Sequence, residues 1–115
     1  MKMAEVLNKA LTPTAAVDIA LIDIKLNGSN YALWSQVVEM FISGKDKLGY
    51  INGDLPQPTP IDPLFWRWRI ENAVVKGWLI NTMDSSLVST FILYPIAKEV
   101  WDAIVVTFFN RSDTA

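Results

Sequence analysis

Lys25-Leu-Asn-Gly-Ser-Asn-Tyr-Ala-Leu-Trp34 brings an extended stretch, a tight turn, a helix cap and two large aromatics into ten consecutive residues. Just upstream, Ile22, Ile24 and Leu26 alternate with Asp23 and Lys25. That period of two predicts an extended segment with one buried face. Asn27-Gly28 is a turn dipeptide, and Ser29 or Asn30 is placed to accept hydrogen bonds from the first free amides of a helix. A helix is therefore predicted from about Tyr31, carrying Tyr31, Trp34, Val38, Phe41 and Ile42 on one stripe and ending near Gly44.

Outward from this stretch, the chain reads as helices separated by clear punctuation. Towards the N-terminus, Met3 to Leu11 suits a short helix that stops before Thr12-Pro13. Beyond Gly44, Lys45 to Ile51 suits one short turn, Asn52-Gly53 a break, and Leu55-Pro-Gln-Pro-Thr-Pro60 an extended connector. Asp62-Pro63 then restarts a helix, with Asp62 as cap and Pro63 in the first turn, running to about Met83. Placing its residues at about 100° intervals puts Leu64, Trp68, Val75, Leu79 and Met83 on one face, with Trp78 at the edge. The other side collects Trp66, Ile70, Ala73, Gly77 and Ile80, with Arg67, Arg69, Glu71 and Lys76 on the flanks. A helix apolar on two sides is expected to lie centrally in its own bundle; the alternative is that the second stripe faces another subunit.

After this helix, Asp84-Ser85-Ser86 offers a cap for a short stripe of Leu87, Val88, Phe91 and Ile92. Pro95 then starts a last helix with Ala97, Val100, Trp101, Ile104 and Phe108 on one face, widened by Val105, Val106 and Phe109. The prediction is an all-α bundle of about five helices preceded by an extended N-terminal segment. Residues 1–21 form an arm, 22–112 the domain, and 113–115 a tail.

Composition narrows the chemistry. The 115 residues suit one domain, and 51% hydrophobic content with five Trp exceeds what a disordered segment carries. Cysteine and histidine are both absent, which excludes disulfides, a zinc knuckle, a thiol nucleophile and a histidine base. A net charge of −2 argues against a free-standing nucleic-acid binder, since neutralising phosphates takes clustered Lys and Arg. Glu5, Lys9 and Asp18 interrupt the N-terminal apolar residues, and Ala103 to Phe109 is far shorter than the ~20 residues of a membrane span. The expectation is a soluble, intracellular protein, in which the sequons at Asn27 and Asn110 go unused.

Each candidate chemical motif has a better structural reading. Phe65-Trp-Arg-Trp-Arg69 has the composition of a stacking platform for single-stranded nucleic acid, but Trp66 and Trp68 point about 200° apart on a helix. Asp84-Ser85-Ser86 has the Asp-Ser start of an aspartic-protease motif without its Gly or flanking strands. Gly44, Gly49 and Gly53 lack the lysine and hydroxyl of a phosphate cradle. No catalytic, cofactor-binding or metal-binding residue is assigned, no cofactor is expected, and the chain is not expected to be an enzyme.

Leu26-Asn-Gly-Ser-Asn-Tyr31, Trp34, Gly44, Gly49, Gly53, Trp78 and the run Ala97-Lys-Glu-Val-Trp-Asp-Ala103 follow one another in an order that resembles the Gag polyproteins of copia-type LTR retrotransposons, those of plants in particular. Within that resemblance Leu26, Gly28, Ser29, Asn30, Tyr31, Trp34, Gly53, Trp68, Trp78, Ala97, Trp101 and Phe108 are the motif and structural positions. Ile96 departs from it, standing where relatives commonly place a polar helix-start residue. The resemblance implies a lobe like the N-terminal part of a retroviral capsid protein, self-association into a virus-like particle in the cytoplasm, and RNA contact only through segments absent here. The expected partner is the chain itself, through Trp66, Ile70, Ala73, Gly77 and Ile80 or through the extended N-terminal segment. A host-adapted domain that binds a peptide or protein in an apolar groove is the alternative, and an RNA-binding unit ranks below both. No membrane and no small-molecule substrate is expected.

Overall fold

A computed structural model of the protein describes residues 23–109. The helix expected at Met3–Leu11, the whole of the arm, Ile22, residues 110–112 and the tail lie outside the described residues. Among the described residues there are five helices and no strand: α1 Tyr31–Gly44, α2 Gly49–Asn52, α3 Phe65–Asn81, α4 Ser85–Phe91 and α5 Ala97–Phe108. The extended segment before α1 contributes one isolated parallel bridge, between Leu26 and Met83.

The core forms where the predicted stripes meet. Tyr31, Trp34, Val38 and Ile42 of α1 are buried against Trp68, Val75, Trp78 and Leu79 of α3 and against Ala97, Val100, Ile104 and Phe108 of α5. Phe41 meets Trp78 edge-on at 5.1 Å, and Trp34 stacks on Trp101 at 5.6 Å. Offset and edge-on ring pairs of this kind add to the burial of their area.

The central helix is α5, not α3. α5 packs against α2, α3 and α4, and its Trp101 reaches α1. Its buried stripe is flanked by the half-buried Trp101, Ala103 and Val105, so it offers apolar surface around most of its girth. α3 is covered on one side only, and its second stripe faces outward. The expectation that two apolar sides mean two covered sides fails here because the wider apolar surface of α5 recruits the other helices.

Three helix starts also differ from expectation. α1 begins after Asn30, yet neither Ser29 nor Asn30 caps it with a side chain. The Asn30 amide turns back instead, accepting from the Asn27 N–H at 3.1 Å and donating to the Lys25 carbonyl at 2.9 Å. Asp62 accepts from the Leu64 N–H at 2.8 Å and shapes a turn ahead of α3, whose first residue is Phe65. Pro63 therefore precedes the helix, and Leu64, placed by the 100° rule on the core face, is 62% exposed because that rule does not extend into the turn. Pro95 likewise lies outside α5, which starts after an extended Ile96. The fourth expected cap is present: the Asp84 side chain accepts from the Ser86 N–H at 3.0 Å.

Candidate functional site

The opening motif docks onto the C-terminal end of α3 through one carbonyl. Thr82 O accepts the Leu26 N–H at 2.9 Å and the indole Nε1–H of Trp34 at 2.8 Å. Leu26 O in turn accepts the Asp84 N–H at 2.7 Å. The Thr82 hydroxyl is directed back at the Trp78 and Leu79 carbonyls, 2.9 and 3.1 Å away. Buried polar groups need such partners, and the Trp34 indole and the Thr82 carbonyl supply them for each other. Gly28 makes the turn possible: its φ of +93° is costly for other residues, although a Cβ there would meet the Phe108 ring at an ordinary contact distance of 3.5 Å.

A second polar element stands in the apolar stripe of α3. Asn72 lies between Trp68 and Val75 and is buried. Its Oδ1 accepts the Ala97 N–H at 2.8 Å, and its Nδ2 donates to the Pro95 carbonyl at 3.2 Å. Ile96 has no side chain to cap α5, so α3 caps it from across the interface. Among the described residues no buried side-chain nitrogen or oxygen lacks a partner.

On the far side of Trp68, a polar cluster borders a groove. Glu71 accepts from Tyr50 OH at 2.7 Å, pairs with Lys47 at 3.4 Å and with Arg67 at 3.2 Å. Burial first, and then the bond to the carboxylate, push the Tyr50 phenol up to about 12, while the Tyr50 bond holds the Glu71 carboxyl below its ordinary value. The indole of Trp68 donates to the Leu55 carbonyl at 2.8 Å and ties down the proline-rich connector. Leu55, Pro56, Pro58, Tyr50 and Trp68 wall an open groove of about 480 Å³. Nothing in this arrangement pairs an acid with a base over a substrate-sized pocket; each charge answers another charge or a phenol.

An exposed apolar stripe runs along the outside of α3. Trp66 is 63% and Ile70 65% exposed, Ala73 and Val74 are open, and no atom lies within 4 Å of where a Cβ on Gly77 would stand. Trp66 is held in place by Phe65, edge-on at 5.5 Å, and by the Arg69 guanidinium, 5.1 Å from the ring centre. A tryptophan fixed at the surface by its own neighbours is unusual for a residue with no role in packing the core.

Comparison with known proteins bears on what such a lobe is for. Residues 18–59 match the family model described as Gag-polypeptide of LTR copia-type. That stretch resembles a copia-type Gag region. It is 22% identical over 97 residues to the retrovirus-related Pol polyprotein from transposon RE2 of Arabidopsis thaliana, covering 76% of this chain and 7% of that protein. It is 19% identical over 112 residues to the corresponding polyprotein from transposon RE1 of the same plant, covering 89% of this chain and 8% of that one. The chain thus spans less than a tenth of either relative. No solved structure matches it. A Gag region is a structural, non-catalytic part, in line with the expectation of no enzyme.

The motif residues converge only in part. Leu26, Tyr31, Trp34, Trp68, Trp78, Ala97 and Phe108 are buried in one core, with Trp101 half-buried against Trp34. Ser29 stays exposed and serves the turn, its N–H donating to Asn27 Oδ1 at 2.9 Å. Gly53 ends α2 with a φ of +94° and lies under the Lys98 side chain. Of the second-stripe residues, Ile80 turns partly inward against the core, while Trp66, Ile70 and Ala73 remain open. Sequence reading missed Asn72, Thr82 and the Tyr50–Glu71 pair. The one available signal was Asn72, a lone amide at a stripe position between Trp68 and Val75.

Proposed function

We propose that this Gag region is a structural module that self-associates toward a virus-like particle in the cytoplasm, residues 22–112 forming the capsid-like lobe. The observation that carries the reading is the outward stripe of α3 from Trp66 to Gly77, a fixed aromatic and an aliphatic anchor on a helix that its own fold leaves uncovered. Particles of this class gain strength from many weak copies of one contact, so a small apolar stripe suffices. The disposition of the basic groups supports the same reading over RNA binding. Arg67 faces Glu71, Arg69 covers Trp66, Lys98 pairs with Asp102, and Lys76 donates to the Ile92 carbonyl. Groups engaged in this way do not form a phosphate track.

A second reading rests on the groove beside Trp68, whose aromatic and proline walls suit an extended peptide. Sedimentation across a wide range of protein concentration, with and without RNA, separates the three. Assembly gives reversible self-association without RNA, groove binding gives a monomer at all concentrations, and RNA binding gives complexes that dissolve in salt. A strict monomer overturns the assembly reading.

A further inference from the structure

Trp66, Ile70, Ala73 and Gly77 follow one another at intervals of four, three and four residues, the spacing of a two-helix seam. Along that seam, size runs in one direction: two large side chains at the N-terminal half of α3, two small ones at the C-terminal half. We infer that α3 pairs with α3 of a second copy in antiparallel orientation about a two-fold axis, Trp66 of each copy seating on Gly77 of the other and Ile70 on Ala73. This inference rests on the self-association reading and adds its geometry.

The register follows from the residue numbers. In an antiparallel pair centred between Glu71 and Asn72, position 66 lies at the height of 77 in the partner, and 70 at the height of 73. Every large group then meets a small one, and both contacts occur twice, as an isologous interface requires. A parallel pair would set Trp66 against Trp66 and leave the Gly77 end empty, so size complementarity selects the antiparallel form.

Gly77 supplies independent support. A glycine inside a helix weakens that helix relative to alanine. Within its own fold Gly77 gains nothing in return: its φ is not positive, and the space over it is open. A bulky group arriving from another molecule is what an absent Cβ at this place accommodates. The eleven steps from Trp66 to Gly77, at about 1.5 Å rise each, give a short seam of about 16 Å. A second copy of this chain fits that scale, since a particle repeats the contact many times.

The flanks give a further signature. Arg69 and Lys76 share one flank of α3, and the antiparallel register brings Arg69 of one copy near Lys76 of the other. Added salt screens this repulsion and tightens the pair, the reverse of what an acidic partner or RNA would show.

The test is sedimentation equilibrium with thermal melts on the full chain and four variants. Gly77→Ala should melt higher than wild type yet associate several-fold more weakly. Trp66→Ala should lose association, and Gly77→Trp should lose it by setting tryptophan against tryptophan. The double variant Trp66→Ala/Gly77→Trp should regain it to within about threefold, because the large and small positions have exchanged places. A double variant that stays as weak as its parents, or Gly77→Ala that associates as wild type does, overturns this geometry and leaves self-association standing. A wild-type chain that is monomeric throughout removes the reading on which the geometry rests.

Discussion

The indole N–H of Trp34 and the backbone N–H of Leu26 meet on one oxygen, the carbonyl of Thr82, at 2.8 and 2.9 Å. Both lone pairs of that oxygen are used inside the protein, and Trp34 is fully buried. Trp34→Phe should remove one of the two donors, open a void beside Trp101, and cost about 2–3 kcal/mol of stability. Urea denaturation gives this value; a loss within experimental error of zero would show that Thr82 O does not need its second donor.

Asn72 should matter more than its size suggests. Asn72→Ala strands the Pro95 carbonyl and the Ala97 N–H at the buried start of α5, at a cost of about 2 kcal/mol. Hydrogen exchange should quicken first at the N-terminal turn of α5. Uniform quickening through all helices would mean that Asn72 supports the whole fold and not this cap.

The Tyr50–Glu71 pair makes stability depend on pH at both extremes. The Glu71 carboxyl is held below 4.5 in the fold, so its contribution is present above pH 4.5 and is lost as pH falls through the folded value. The Tyr50 phenol is raised from 10.0 to about 12, so its contribution is complete below pH 10.0 and is lost as pH climbs through about 12. In Tyr50→Phe, NMR titration of Glu71 should show its midpoint moving up toward the ordinary carboxylate value. An unmoved midpoint would assign the depression to Lys47 and Arg67.

Two glycines should respond to alanine in opposite directions. Gly28→Ala forces a side chain into a φ of +93° and should lose about 1 kcal/mol. Gly44 ends α1 with open space around it, and Gly44→Ala should be neutral or stabilise by up to about 1 kcal/mol. Thermal melts of the two variants decide it, and a shared sign would contradict the backbone argument.

Where the chain's own periodicity governs, its reading carries over well. The stripe of α1 from Tyr31 to Ile42, the break at Gly53, the proline-rich connector, the Asp84 cap and the stripe of α5 all stand where the spacing of apolar residues places them. These are local properties, set by residues a turn or two apart. The misreadings concern competition for polar groups and surface that stripe spacing does not register, some of it between near neighbours and some between partners distant in sequence. Asn30 turned from the helix it precedes because the Lys25 carbonyl competed for its amide, and α5 took its cap from α3. The role of α3 was misjudged for the same reason. Two apolar stripes were legible, but which one the bundle would cover depended on how much surface α5 offered. Val106, 86% exposed despite its apolar neighbours, makes the same point on α5 itself.

The carbonyl of Thr82 also separates two kinds of unit within this chain. The stretch matched by the family model ends at residue 59, yet the oxygen that receives Leu26 and Trp34 lies at 82 and the ring that stacks on Trp34 at 101. The segment that the family model matches is therefore shorter than the segment that must close for it to hold its shape. Cut at the edge of the pattern, the motif would keep every residue that identifies it and lose the acceptor and the ring that make those residues cohere.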